Sequence, residues 1–177
     1  MTRRVPPGFE AFYRRSKDAC LRAVLITVGS SAEADDLLSE AFTRALAKWG
    51  EIATHPSPEA WVVRTALNLH RDRWRSSQRV QRVRQLREPV GVVDMIDPAL
   101  LAAVRNLPER QREVVALRVL LGLSAEQTAK ELGIDAGTVG THLRRGLAAL
   151  RVVLDHIELT ADPVADKNEG ATDECRT

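Results

Sequence analysis

Apolar residues recur every three or four positions along most of the chain, which is the spacing of one buried face of an α-helix. In the first half this pattern predicts a helix from Phe9 to Gly29, a second over residues 32–49 and, after a loop between Gly50 and Pro58, a third that begins near Glu59. The predicted apolar face of the first helix is Phe9, Phe12, Tyr13, Cys20, Ala23 and Val24. That of the second is Ala34, Leu37, Leu38, Ala41, Ala45 and Trp49. That of the third is Trp61, Val62, Thr65, Ala66 and Leu69.

The second half predicts three further helices with clear start signals. One begins at Leu107-Pro108, because proline is favoured in the first turn, and ends at Gly122. The next begins at a capping box formed by Ser124 and Gln127, and the last is capped by Asp135. Its apolar residues are Val139, Leu143, Leu147 and Leu150. No segment alternates apolar and polar residues as a strand does, so the predicted fold is all-α.

Between the two halves the helical pattern is lost around two prolines, Pro89 and Pro98. We therefore predict two small helical domains joined by a flexible linker. The predicted boundaries are 1–80 for the first domain, 81–102 for the linker, 103–154 for the second domain and 155–177 for an acidic, disordered tail.

Composition excludes several classes of protein. The 177 residues are 44% hydrophobic and 28% charged, which is typical of a folded globular chain too short for a large catalytic architecture. Cys20 and Cys175 are too far apart for a disulfide framework or a zinc clip. No segment has the apolar length of a membrane span, and the start of the chain lacks the core of a signal peptide. We expect a cytoplasmic protein without membrane insertion.

The charges are distributed unevenly, although the net charge is only +2. Residues 1–153 carry +7 and residues 154–177 carry −5. Residues 64–87 alone hold eight arginines and a single acid, Asp72. A run of positive charges indicates a polyanionic partner, because an ordinary solvated helix face usually carries both positive and negative side chains. The role of the acidic tail stays open between competition with DNA phosphate and solubility.

The strongest motif lies in the second half. Ala129, Gly133 and Val139 have the spacing of a helix-turn-helix, in which a small residue, a turn glycine and an apolar residue allow two helices to cross closely. The second helix would present side chains that suit phosphates and base edges: Thr138, Thr141, His142, Arg144 and Arg145. The alternative is an ordinary helical hairpin, but packing alone requires neither the cap nor the basic outer face.

Together these segments resemble the bacterial RNA polymerase sigma factors of the extracytoplasmic-function type, within the sigma-70 family. Residues 107–114 through 132–139 are similar to the family's region four, which binds the −35 promoter element and the flap of the polymerase β subunit. Residues 34–42, 61–68 and 72–75 are similar to region two. The order and spacing of the motifs make the combination more specific than any one of them.

The resemblance implies roles for individual residues. Asn68 falls where the family reads a base flipped out of the −10 element. The loop between Gly50 and Pro58 would enclose that base. The nearby DNA phosphates would be bound by Arg71, Arg73 and Arg75. The outer face of the second helix, through Asp35, Ser39, Glu40 and Leu46, would dock on the clamp helices of the polymerase β′ subunit. Promoter DNA and core RNA polymerase are the implied partners, and an anti-sigma factor is a further candidate.

Two departures from the family pattern bear on the −35 contact. Gly140 stands where the family commonly has lysine, and His142 stands where arginine is frequent. Both changes weaken phosphate contact, and a glycine inside a helix costs about 1 kcal/mol against alanine.

Two alternative functions compete with that of a sigma factor. An autonomous helix-turn-helix regulator would share the second half, but it would need a sensor upstream, and the first half shows helices and an arginine run instead. An enzyme is not expected, because His55, His70, Asp72 and His142 have no metal-ligand spacing and no nucleophile is paired with a base. No cofactor or metal is predicted.

Overall fold

The structure is a computed structural model that describes residues 5–77 and 98–161. Within these two ranges every regular element is helical, which confirms the predicted all-α class. We call residues 5–77 the N-terminal half and residues 98–161 the C-terminal half. Their helices are α1 (Phe9–Val28), α2 (Ser31–Ala47), α3 (Trp49–Ile52), α4 (Pro58–Ser77), α5 (Pro98–Arg105), α6 (Glu109–Val115), α7 (Ala125–Leu132) and α8 (Ala136–Ala161), and a π turn at Ala116–Leu120 continues α6.

Local signals set the first helix boundaries. Helix α1 ends at Gly29, whose positive φ of 83° is a conformation that glycine adopts without a steric penalty, and whose N–H donates to the Leu25 carbonyl. Ser30 then caps α2 by accepting from the Glu33 N–H at 3.4 Å. The prediction of a helix between Phe9 and Gly29 is confirmed, and α2 begins one residue earlier than predicted.

The loop predicted between Gly50 and Pro58 is shorter than expected. Trp49–Ile52 forms the short helix α3, which leaves residues 53–57 as the connection to α4. Burial explains the difference, because the side chains of Trp49 and Ile52 both face the core and the Trp49 Nε1–H donates to the Pro7 carbonyl at 2.9 Å.

The N-terminal half has a core rich in aromatic rings. The Phe12 ring is fully buried and lies 5.0 Å from the Trp49 ring and 6.0 Å from the Phe42 ring, measured between centroids. The predicted inner face of α2 is confirmed, since all six of its residues are buried. Tyr13 was predicted to be buried as well, but it is 41% exposed at the edge of this cluster.

Two helices of the second half extend past the domain boundaries expected from the sequence. Helix α5 begins at Pro98, so residues 98–102, which were assigned to the linker, are helical because Leu101 and Val104 bury the same face. Helix α8 runs to Ala161, so residues 155–161, which were assigned to the disordered tail, are helical too. No glycine or proline interrupts the sequence between Gly146 and Pro163. The rest of the predicted linker and tail lies outside the described residues.

The two halves pack against each other. Helix α1 contacts α5, α6 and the π turn, and α4 contacts α7. One continuous apolar cluster includes Val24 and Leu25 of the N-terminal half and Val104 and Leu117 of the C-terminal half. The structure therefore brings the predicted DNA-binding elements of the two halves close together.

Candidate nucleic-acid interface

The predicted helix-turn-helix is present in α7 and α8. The Ser124 hydroxyl accepts from the Gln127 N–H at 3.1 Å, and the Gln127 side chain accepts from the Ser124 N–H at 2.8 Å, so the capping box is complete. Gly133 ends α7 with a φ of 65°, which turns the chain directly into α8. The angle between the two helices is therefore set by short-range interactions.

The predicted spacing residues form a small core under the motif. Ala129 of α7 and Val139 of α8 pack with Val114 of α6 in one buried cluster. Gly133 lies in the turn between them, as expected. This arrangement confirms the interpretation of these residues as a helix-turn-helix.

Asp135 fixes the start of α8. Its carboxylate accepts from the Thr138 N–H at 2.8 Å and from the Thr138 hydroxyl at 2.6 Å. The hydrogen bond from the Thr138 hydroxyl, followed by that from its N–H, lowers the pKa of Asp135 below its ordinary value. The carboxylate is thus ionised at neutral pH and stabilises the positive end of the helix.

The side chains predicted to contact the −35 element lie along the first three turns of α8. Arg144 and Arg145 are exposed. The Thr141 hydroxyl donates to the Gly137 carbonyl at 3.1 Å, so both threonine hydroxyls make hydrogen bonds within the helix. His142 is half-buried, and its Nδ1 is buried without a hydrogen-bond partner. Of the five predicted residues, the two arginines are the best placed to reach a phosphate.

The side chains predicted to contact the −10 element lie on α4. Asn68 is exposed, and its amide oxygen accepts from the Arg71 Nη1 at 2.9 Å. Arg73 donates to the Glu40 carboxylate at 2.9 Å, and Arg75 is exposed. Arg71 is half-buried and forms ion pairs with Glu109 and Glu113 of the C-terminal half. In this conformation the Arg71 guanidinium is therefore paired with protein carboxylates and not with a phosphate.

The predicted polymerase-docking residues lie on α2. Asp35 and Ser39 are exposed, as predicted, whereas Leu46 is half-buried against the core. Glu40 is half-exposed and binds Arg44 at 2.6 Å as well as Arg73. The hydrogen bond from Arg44, and then that from Arg73, lowers the pKa of Glu40. The Glu40 carboxylate thus links the predicted polymerase surface to the predicted DNA surface.

Sequence reasoning missed two buried glutamates. Glu113 is fully buried between Arg71 and Arg110, and Glu131 is 5% exposed beside His55 and Arg64. The spacing of Glu113 and Arg110 along α6 indicates their mutual ion pair. Nothing in the sequence indicates the pairing of Glu113 with Arg71, which is 42 residues away.

Two larger cavities lie between the halves. A groove of about 570 Å³ is mostly apolar, and its lining includes two arginines. It is lined by Arg22, Ile26, Leu100, Val104, Val115, Val119, Leu120, Leu147, Leu150, Arg151 and Leu154. A mixed cavity of about 270 Å³ is lined by Thr27, Leu67, His70, Arg71, Trp74, Glu109, Arg112 and Glu113. Across residues 5–77 and 98–161, no group of three His, Cys, Asp or Glu side chains could hold a metal ion.

The C-terminal half contains a capped helix-turn-helix with exposed arginines, and it packs against α4 of the N-terminal half, which also carries arginines. These features define a helical DNA-binding protein with two DNA-binding regions. Residues 9–80 match the family model of Sigma-70 region 2, and residues 98–150 match that of Sigma-70, region 4. The chain belongs to the sigma-70 family of RNA polymerase sigma factors, in its extracytoplasmic-function group. It is a sigma factor that directs transcription initiation to promoters.

Curated relatives agree with this assignment. The chain is 35% identical over 159 residues to the RNA polymerase sigma-E factor of Streptomyces avermitilis, an alignment that covers 86% of this chain and 88% of that protein. It is 33% identical over 160 residues to the ECF RNA polymerase sigma factor BldN of Streptomyces coelicolor, covering 83% of this chain and 60% of BldN. Because the N-terminal half matches region 2, the chain fits a sigma factor better than an autonomous helix-turn-helix regulator.

A solved structure supports the fold. The sigma factor RpoE of Bartonella quintana, crystallised with the anti-sigma factor NepR, superposes with a TM-score of 0.68 at 22% identity. The superposition covers 83% of this chain and 96% of that one. Within the part of the chain that the structure describes, no helix has the length and apolar character that crossing a membrane requires.

Proposed function

We propose that this sigma factor reads the −10 element with α4 and the −35 element with α8. The observation that carries the proposal is the arrangement on α4, where the exposed Asn68 amide is held by Arg71 and followed by Arg73 and Arg75. An amide can pair with the edge of an unstacked base, while guanidinium groups bind phosphates of any sequence. Asn68 would therefore provide base identity and Arg71, Arg73 and Arg75 would provide affinity.

On α8 the proposed −35 contacts are Arg144 and Arg145 to the DNA backbone, with Thr138, Thr141 and His142 nearer the base edges. The first two turns of a recognition helix commonly reach the major groove. The hydroxyls of Thr138 and Thr141 already donate within the helix, so toward DNA they would act mainly as acceptors.

Two surfaces are proposed for polymerase docking. Asp35, Ser39 and Glu40 form a polar outer face of α2 that would contact the β′ clamp helices, with Leu46 at its edge. The apolar groove between the halves, whose lining includes the exposed Leu147 and Val119, suits the flap of the β subunit. An anti-sigma factor with an amphipathic helix would fit the same groove. We propose that the protein acts in the cytoplasm and catalyses no reaction itself.

The test is reconstitution with core RNA polymerase and genomic DNA fragments, scored by promoter-dependent transcripts. Asn68→Ala should reduce open-complex formation selectively at promoters with particular bases in the −10 element. Arg75→Ala should weaken all promoters alike and reduce the salt dependence of binding by about 0.7–0.9 in log–log slope, the contribution of one phosphate contact. Arg75 is a cleaner choice than Arg73, because Arg73 also holds Glu40.

Arg14→Ala is the matched control, since Arg14 is an exposed arginine on α1 that pairs only locally with Glu10 among the described contacts. It should leave promoter use and salt dependence unchanged. If Asn68→Ala and Arg75→Ala weaken the same promoters to the same degree, the division between base and backbone contacts is wrong. DNA binding without transcripts would favour the regulator alternative.

Docking is tested separately. Glu40→Lys combined with Leu46→Ala should reduce the affinity for core polymerase in a pull-down without loss of helicity. Glu10→Lys makes the same charge change on α1 and should leave that affinity unaltered. Unaltered affinity of the double variant would remove α2 from the docking surface.

A further inference from the structure

The first two turns of α8 lack the side chains that ordinarily read bases through hydrogen bonds. Paired hydrogen bonds to guanine and adenine come from arginine, lysine, asparagine and glutamine, and cytosine is read by aspartate or glutamate. Residues 136–143 contain none of these six residue types. The arginines of the helix begin only at Arg144, in its third turn. Bases beneath the first two turns must therefore be read in another way.

Two threonines lie in this segment, and both of their hydroxyls are turned toward the protein. The Thr141 hydroxyl donates to the Gly137 carbonyl at 3.1 Å. The Thr138 hydroxyl donates at 2.6 Å to the Asp135 carboxylate, which also accepts from the Thr138 N–H. A threonine Cβ carries a hydroxyl and a methyl group, so fixing the hydroxyl also fixes the methyl. The methyl is the larger group that remains for a neighbour outside the helix.

Thr141 lies near the centre of the outer face of α8. At 3.6 residues per turn it is on the side of the helix opposite Val139 and Gly146, which are both buried. Two of its neighbours on the outer face are glycines, Gly137 and Gly140, and both are exposed. Because neither glycine has a side chain, a base edge can approach the Thr141 methyl closely.

His142 is the other polar side chain of the segment, and it adds little discrimination between bases. It is half-buried, and its Nδ1 lies inside the protein with no hydrogen-bond partner among the described residues. Only the Nε2 of the ring remains for DNA. A single N–H can donate to the N7 acceptor of guanine or of adenine, so it does not tell these two bases apart.

We infer that the threonines of α8 read thymine in the −35 element through methyl–methyl contacts, with Thr141 as the main specificity-determining residue and Thr138 beside it. The inference rests on the proposed contact of α8 with that element. In the major groove the C5-methyl group distinguishes thymine from the other three bases, and a threonine methyl suits it as an apolar neighbour. Arg144 and Arg145 then supply phosphate affinity, while the methyl groups supply base identity.

Such a contact discriminates by burial of apolar surface and not by hydrogen bonding. Burying one methyl-sized group favours binding about fourfold. A good bidentate hydrogen-bond pair discriminates by roughly five- to 150-fold. The −35 contact of this chain should therefore tolerate single base changes better than a contact built on arginine and guanine.

The experiment measures the affinity of the holoenzyme, reconstituted with core polymerase, for a promoter found by the transcript assay. Each thymine of the −35 element, on either strand, is replaced in turn by deoxyuridine, which removes the methyl group and keeps the base pair. Wild-type holoenzyme should lose affinity about fourfold at one or two of these positions. The absence of any sensitive thymine, or a −35 element without thymine, would overturn the inference.

Matched substitutions separate the methyl group from the hydroxyl. Thr141→Ser keeps the hydroxyl and its bond to the Gly137 carbonyl but removes the methyl, so one position should become insensitive to deoxyuridine. Thr141→Val keeps the methyl and removes the hydroxyl, so that sensitivity should remain. Thr138→Ser should remove sensitivity at a second position. Sensitivity that persists in the double serine variant would mean that the thymine methyl acts through DNA shape, which overturns the inference.

Thr43→Ser is the matched control, because Thr43 is an exposed threonine of α2 whose hydroxyl also donates to the carbonyl four residues earlier, at 2.9 Å. It should leave the discrimination between thymine and deoxyuridine unchanged, and a loss there equal to that of Thr141→Ser would refute a direct contact. A scrambled −35 element separates the two proposals. If scrambling does not lower affinity, the assignment of α8 to this element is refuted. If scrambling lowers affinity but no thymine is sensitive, only the methyl contact is refuted.

Discussion

The two halves are stabilised in different ways. The three Phe, the three Trp and the one Tyr of the chain all lie in the N-terminal half, where Phe9, Phe12, Phe42 and Trp49 form its core. The C-terminal half has no Phe, Trp or Tyr, and the buried cluster under its helix-turn-helix consists of Val114, Ala129 and Val139. Large buried side chains therefore stabilise the first half, whereas caps and turns set the shape of the second.

The comparison explains why the halves associate. A small domain buries too little surface for a large core, and the C-terminal half adds to its own by placing α5 and the π turn against α1. Leu117 is fully buried in that shared cluster. Besides carrying the proposed DNA-reading surface, the N-terminal half thus provides packing support for the C-terminal half.

The largest expected effect is a core truncation in the N-terminal half. Phe12→Ala should lower the free energy of unfolding by about 3–5 kcal/mol, because a fully buried ring is removed and a cavity remains. Urea unfolding followed by circular dichroism measures it. Tyr13→Ala should cost less, since Tyr13 is 41% exposed. A loss below about 1 kcal/mol for Phe12→Ala would contradict the view that aromatic burial stabilises this half.

The next largest effect is the loss of a helix N-cap, which can be compared between Ser124 of the C-terminal half and Ser30 of the N-terminal half. Ser124→Ala should lower stability by about 1–2 kcal/mol, at the upper end for a cap, because the Ser124 hydroxyl accepts from the Gln127 N–H and donates to the Glu126 carboxylate, and both bonds are lost. Ser30→Ala should cost about 0.5–1 kcal/mol, since the Ser30 hydroxyl accepts a single bond at 3.4 Å. Thermal unfolding of both variants tests the order. A larger loss at Ser30 would show that caps matter no more in the C-terminal half.

Two glycines of α8 give a smaller and opposite effect. A Cβ at Gly140 would meet nothing within 4 Å, so Gly140→Ala should raise stability by up to about 1 kcal/mol. A Cβ at Gly146 would lie 3.1 Å from the Val115 Cγ2, so Gly146→Ala should gain less or lose stability. Differential scanning calorimetry separates them. An equal gain at both positions would mean that α8 packs less tightly on α6 than described.

The smallest effect is a pH dependence of the α8 cap. Because the pKa of Asp135 is lowered in the folded chain, its ionised cap stabilises above the unfolded pKa, and this contribution is lost as pH falls through the folded pKa. Asp135→Asn keeps a good cap without titrating, so its stability should fall less on acidification. Thermal unfolding between neutral and acidic pH gives the comparison. Parallel curves for the two proteins would exclude this role for Asp135.

Sequence alone predicted the parts of the fold that depend on neighbouring residues. The capping box at Ser124, the turn at Gly133 and the cap at Asp135 all involve residues at most four positions apart, and each was predicted correctly. The sequence did not predict the helical extension of residues 155–161, because an acidic composition is typical of disordered tails. Helix α3 was missed because its formation depends on burial of Trp49 against Pro7, a long-range contact.

The same limit applies to the candidate site. The outward arginines of α8 could be predicted from helical spacing, and Asn68 and Arg71 from their motif. The engagement of Arg71 by two glutamates of the other half could not, because the partners lie 38 and 42 residues away and only the packing of the halves joins them. Whether each predicted residue contacts DNA or polymerase stays a prediction.

The position of Trp74 makes the chain its own optical reporter. Trp74 is 58% exposed and lines the mixed cavity with Glu109 and Arg112 of the C-terminal half, whereas Trp49 is buried within the N-terminal half. The cavity also includes Glu113, so any change in the packing of the two halves would alter the charged surroundings of Trp74 while the surroundings of Trp49 stay the same. Intrinsic fluorescence could therefore follow the packing of the halves in real time on the unlabelled protein, with Trp74→Phe as the spectral blank for the signal of Trp49 and Trp61.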